Sequence, residues 1–167
     1  MAFIRVEGGR AAAAEDGFVS VSDDAALPQD GGAIVSLARF IKDRETLLAR
    51  NAPIGVRLKS DETPEGLGPD LGRLSVVAIE FPKFADGRGF SWARMLRTRL
   101  GYTGEVRAVG DYIYDQIAYL VRVGFDGFDP THPLTADDFN RALTEMTNVY
   151  QPSADGKKTI RELRAGK

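Results

Sequence analysis

Residues 74–81 read LSVVAIEF, a run rich in β-branched residues and almost unbroken in apolar side chains. A strand with one wet face alternates apolar and polar residues. A continuous run of this kind needs cover on both faces, which is the pattern of a strand inside a parallel sheet. The flanking segments extend the argument. Residues 33–37, 54–58, 105–109 and 125–128 are further short apolar runs. Between them lie stretches with helical spacing: Phe40, Ile41, Leu47 and Leu48, then residues 90–100, then residues 111–123. Asn51 and Pro53, Gly101, and Gly124 stop these helices in turn. Residues 61–72 read as a loop with one short helix, and Thr135 as the N-cap of a last helix over 136–147.

Strands alternating with helices imply a parallel sheet with right-handed crossovers. The expected fold is a single α/β domain over residues 33–150, with a mainly parallel sheet of four or five strands. An open doubly wound sheet and a half-barrel of βα units both fit. Residues 1–32 read as an N-terminal arm or β-hairpin, with strand-like runs at 3–6 and 18–21. Residues 151–167 read as a polar, basic tail prone to fraying.

Composition narrows the chemistry. The chain has no cysteine and one histidine, His132. That excludes disulfides, thiolate nucleophiles, Cys-ligated clusters and any metal site needing two histidines of one chain. No metal site is expected, and His132, before Pro133, reads as a turn residue. Redox chemistry would need a bound organic cofactor or a partner to carry electrons. No stretch approaches a membrane span and no targeting segment is evident, so the expected compartment is the cytoplasm.

The net charge of −2 is unevenly placed. From Lys83 to Arg107 six basic residues face two acidic ones, so that window carries +4 and the remainder −6. A basic window on an acidic chain suits an anionic ligand or an acidic partner surface. An isoelectric point of about 5.5 argues against nucleic acid.

In parallel α/β architecture ligands bind beyond the carboxyl ends of the strands. Lys83, Asp86, Gly87, Arg88, Gly89 and Ser91 fall there, as does Asp111 after the strand carrying Arg107. Two glycines bracketing Arg88 before a helix suggest an anion cradle: flexible backbone, unpaired amides and a guanidinium fork. The same spacing also fits a tight turn in which Asp86 caps the helix. It is neither a dinucleotide fingerprint, whose third glycine would fall at Trp92, nor a P-loop. Arg57, Glu80 and Arg107 lie in apolar strands, so each needs a partner, met by pairs between adjacent strands or by a wet site.

The run FPKFADGRGFS (81–91), ARMLR (93–97), GYTGEVRAVGD (101–111), DQ (115–116) and GFDGF (124–128) resembles the signature of a bacterial family of unknown function. Members are commonly labelled as oxidoreductases involved in sulfite reduction, from genes lying beside those for assimilatory sulfite reductase. The resemblance implies a role in sulfur assimilation and carries over no catalytic residue. Three readings follow. One is an accessory protein that docks on sulfite reductase or its electron donor through Arg94 and Arg97 of the basic helix. Another is an enzyme or sensor holding a sulfur oxyanion or sulfonucleotide at the 86–91 turn, with Arg88 and Lys83 neutralising its charge. The third is an oxidoreductase using a noncovalent flavin or NADPH, for which no recognisable cofactor motif is present.

Overall fold

The computed structural model describes residues 3–166; Met1, Ala2 and Lys167, at the ends of the arm and the tail, lie outside them. Eight strands form one sheet. They are β1 (Phe3–Glu7), β2 (Arg10–Ala14), β3 (Phe18–Ser20), β4 (Gly32–Ser36), β5 (Ile54–Leu58), β6 (Val76–Phe81), β7 (Glu105–Gly110) and β8 (Gly127–Pro130). Their order is β2-β1-β8-β7-β6-β5-β4-β3. From β3 to β8 every neighbouring pair is parallel, while β1 is antiparallel to both β2 and β8. The parallel run is longer than the four or five strands expected. A hairpin is present at the N-terminus as β1 and β2, joined through Gly8 and Gly9, but the expected 18–21 run is not its second strand: Phe18–Ser20 is β3, parallel to β4 at the opposite edge, and all three strands belong to the sheet itself.

The helices are α1 (Leu37–Lys42), α2 (Arg44–Leu48), α3 (Arg88–Thr98), α4 (Ile117–Val123), α5 (Ala136–Glu145) and α6 (Ile160–Ala165). A 3₁₀ segment spans Pro64–Arg73, and a 3₁₀ turn at Tyr114–Gln116 replaces the start of the helix expected from residue 111. Thr135 caps α5 as expected, in a box with Asp138.

Of the two sheet arrangements that the sequence allows, the structure has the half-barrel. Strands β3 to β8 follow one another in sequence order, so right-handed crossovers put all their helices on one face. Phe40, Leu47, Ala93, Leu96, Leu120 and Phe139 of the helices pack there on Val35, Val56, Val77, Ile79, Val106 and Phe128 of the strands. The other face carries Ile34, Val76 and Ala78, with Phe18 and Val109 beside them.

The chain itself forces the curl. Strands β2 and β3 are the two edges of the sheet, yet only Glu15, Asp16 and Gly17 separate them. Four Cα steps reach at most about 14 Å, whereas a flat eight-stranded sheet would hold its edges about 34 Å apart. Asp16 lies over the concave face and binds Arg107 of the central strand β7 at 2.8 and 2.9 Å.

A line of aromatic rings crosses the covered face: Phe90, Phe81, Tyr112, Phe128 and Phe139, with centroids 4.7–6.3 Å apart. Tyr112 is fully buried and its hydroxyl has no partner among the described residues. Burial pushes that phenol far above its ordinary range. An orphaned buried hydroxyl carries a desolvation penalty with no bond to offset it. Tyr112→Phe is therefore expected to stabilise the protein by about 1 kcal/mol, a rise of roughly 2–4 °C in Tm. A melting temperature at or below that of the wild type would show that the hydroxyl is satisfied in solution.

Candidate functional site

The carboxyl ends of β5, β6, β7 and β8 meet at one rim, and the side chains there are bound to one another. After β6, the loop 82–87 turns into α3. Asp86 accepts from the Arg88 amide at 3.2 Å and holds its guanidinium at 2.7 and 2.9 Å. Arg88 also donates to the hydroxyl of the buried Ser60, beyond β5, at 2.9 Å. Arg88 with Ser60 and the amide draws the Asp86 carboxyl well below the usual carboxylate range, against the opposing effect of desolvation. Trp92, one turn into α3, donates its indole N–H to the Ser60 carbonyl at 3.0 Å.

The turn that reads as an anion cradle is thus a cradle whose anion is Asp86, the capping arrangement that the same residues allow. The flexible backbone expected of its glycines is not used for a left-handed turn: neither Gly87 nor Gly89 has positive φ. Gly89 serves close approach instead, since a Cβ there would lie 2.6 Å from the Phe81 ring. That lets α3 lie against β6. Lys83 and Ser91 stand exposed at either side of the turn.

Beyond β7, Asp111 accepts from the Phe84 amide at 3.3 Å and pairs with His132 Nε2, beyond β8, at 2.9 Å. Gln116 donates to the Phe84 carbonyl at 2.8 Å. Loop 82–87 is so tied to three strand ends, with the Phe84 ring 52% exposed at its tip. His132 was legible only as a turn residue, because the strand order that brings it to Asp111 is not a local property.

Arg107, expected at this rim, and Arg97, expected on the docking surface of the basic helix, both lie elsewhere. Arg107 is buried on the concave face, bound to Asp16 and to Glu105 at 2.6 Å, and does not meet Asp111. Arg97 points inward from α3. It donates to the carbonyls of Gly124, Tyr102 and Gly104 at 2.6–2.9 Å and pairs with Asp126 at 2.7 Å. It clasps α3 to the turns after α3 and α4, so of the two arginines expected on the docking surface Arg94 stands exposed and Arg97 does not. The adjacent-strand pair expected for Arg57 and Glu80 is present at 3.8 Å.

A second feature lies where no local sequence signal points. The segment after α5 does not trail away as a tail but folds back on α4. Asp155 pairs with Arg122 at 2.9 Å, Ser153 donates to the Arg122 carbonyl at 2.8 Å, and Val149 bridges to Thr159. Between α4, α5 and this segment opens a cleft of about 550 Å³, with Tyr119, Leu143, Met146, Val149, Tyr150 and Ile160 on its walls. The apolar residues of 146–160 fall at no regular spacing in a mostly polar segment, so no periodicity announces the cleft.

A family model described as bacterial protein of unknown function (DUF934) matches residues 55–161. The chain belongs to this family. The DUF934 match runs from β5 into α6, so it takes in the rim, α3 and the walls of the apolar cleft formed by α4 and α5. No curated protein and no solved structure matches the chain. Among the described residues no group of three or more His, Asp or Glu side chains is placed to hold a metal ion. No helix there is long and apolar enough to cross a membrane.

Proposed function

We propose that this DUF934 protein is an accessory protein of assimilatory sulfate and sulfite reduction that docks on sulfite reductase or its electron donor. The sulfur pathway is what the resemblance of the 81–128 signature implies. The docking role rests on one observation: at the rim the polar groups suited to chemistry are engaged with one another, while Lys83, Phe84 and Arg94 stand outward. Arg88 already holds Asp86, and Asp111 already holds His132. An exposed aromatic ring among cations is suited to contact with another protein, by burying the ring and by attracting an acidic surface.

The test is co-purification of the tagged protein with sulfite reductase at low salt. The wild type is expected to retain the reductase and to lose it as salt is raised, since exposed charges are screened. Lys83→Glu combined with Arg94→Glu is expected to abolish retention, with the thermal melt unchanged. Undiminished retention by that variant would remove this surface from the proposal. The reading of a sulfur oxyanion or sulfonucleotide held at the turn keeps one support: the Arg88 amide and guanidinium already bind an oxyanion group, that of Asp86.

A further inference from the structure

The apolar cleft is separate from the rim, and its surroundings state what it should hold. Tyr119 is 49%, Met146 68% and Tyr150 85% exposed, so three large side chains of one concavity are open to solvent together. Isolated exposed apolar residues are common, but a grouped set rimmed by polar residues marks a contact site. Tyrosine and methionine are the residue types enriched in such contacts, and methionine adapts its shape to a partner.

The charge beside the cleft is mainly of one sign, four exposed cations against one exposed carboxylate, Asp115. Lys157 lies on its wall, Lys158 follows it before α6, and Arg161 and Arg164 are on α6. All four are exposed, and none has an ion pair within 4 Å among the described residues. Of the acidic residues nearby, Asp155 binds Arg122 and Glu162 caps α6 through Thr159, which leaves Asp115 on the wall as the exposed carboxylate. A run of unpaired cations on a chain of net negative charge calls for an acidic partner.

The walls decide the shape of that partner. Helices α4 and α5 spend their backbone groups on their own hydrogen bonds and offer no strand edge to extend. A segment lying along the α4 wall, across from residues 146–160, finds no backbone partner on that helix and must satisfy its own groups, which a helix does. The site is concave, so it receives projecting side chains; a lipid surface would need a protruding apolar face instead.

We infer that the cleft between α4, α5 and residues 146–160 is a docking groove for an acidic amphipathic helix of a partner protein. Apolar side chains of that helix fill the cleft, and its Asp and Glu residues lie along Lys157, Lys158, Arg161 and Arg164.

The test is a display selection of random peptides of about 18 residues, five turns of helix, on the full chain. The recovered peptides are then synthesised with a fluorescent label and their binding followed by anisotropy. The expected winners carry apolar residues at i, i+3, i+4 and i+7 with Asp and Glu on the flanks, and gain helicity on binding. Tyr150→Ser and the pair Lys158→Glu with Arg161→Glu each weaken them at least about tenfold. These positions are exposed, so both variants keep the wild-type melt. Charge reversal at Lys83 and Arg94 leaves the peptide affinity unchanged, so this groove and the rim surface stand or fall separately. Failure to enrich any peptide, winners without acidic residues, or affinities untouched by both cleft variants would overturn the inference. So would flotation of the protein with phosphatidylglycerol vesicles in place of peptide binding.

Discussion

Arg107→Ala is expected to lower the melting temperature by about 6–20 °C. Breaking a buried ion pair by removing one partner typically costs about 3–5 kcal/mol, and at this size each kcal/mol is roughly 2–4 °C. The Arg107 side chain is 3% exposed, with both terminal nitrogens on Asp16 and its Nε on Glu105. Its guanidinium also lies over the Phe3 ring at 4.2 Å. Without it, two carboxylates are left on the concave face, and Arg5 reaches only Glu105. The loss has a particular address. Asp16 sits in the link that carries the chain from one edge of the sheet to the other, so releasing it should loosen the closure before the helical face. Hydrogen exchange should rise first in β2 and β3. The double variant Arg107→Ala with Asp16→Ala should be less destabilised than the sum of the single ones, because the stranded carboxylate is gone. A shift under about 2 °C for Arg107→Ala, less than one kcal/mol, would mean that water satisfies this network and that the curl is held by packing alone.

The same arginine shows where a sequence stops being readable. That Arg107 needed a partner follows from its place in an apolar strand. That the partner is Asp16, 91 residues away in the chain, follows only from the curl. The curl in turn depends on three linking residues being too short for anything else. Local signals did carry over well. The apolar runs at 54–58, 74–81 and 105–109 became β5, β6 and β7, and Thr135 caps its helix, because burial periodicity and capping are properties of neighbours. At the rim the residue types are legible in the sequence and their partners are not, for a physical reason. Residue types at 86–91 announce an affinity for anions, but not that Asp86 is near enough to satisfy it. For Arg97, helical spacing places the residue beside Arg94 but cannot tell that the carbonyls of Tyr102, Gly104 and Gly124 converge on it. The cleft was illegible because it depends on Asp155 finding Arg122, 33 positions away.

Gly110→Ala is the second large effect to expect, and it connects the fold to the rim. Gly110 ends β7 opposite Phe81 of β6 with φ of 109°, and an added Cβ would lie 2.4 Å from the Phe81 carbonyl oxygen. That oxygen cannot step aside, because it accepts from the Asp111 amide at 2.8 Å. The Gly110 carbonyl is fixed as well, accepting from the amide and hydroxyl of Thr131. Strain in the backbone contributes about 1–3 kcal/mol and steric overlap about 1–3 kcal/mol more. The melting temperature should therefore fall by roughly 4–24 °C. Gly101 supplies the control: its φ is 64°, but a Cβ there meets nothing within 4 Å. Gly101→Ala should thus show the conformational part alone, about 1 kcal/mol. If the two variants melt together, the close approach at Gly110 is relieved by relaxation and the rim is softer than its hydrogen bonds imply. If Gly110→Ala is much the worse, the displaced atoms are those that place Asp111, and through it Phe84. Reductase retention should then fall at temperatures where the variant is still folded, as it should for Lys83→Glu with Arg94→Glu. Retention that simply follows the folded fraction would separate loop 82–87 from the docking surface and leave α3 to carry it.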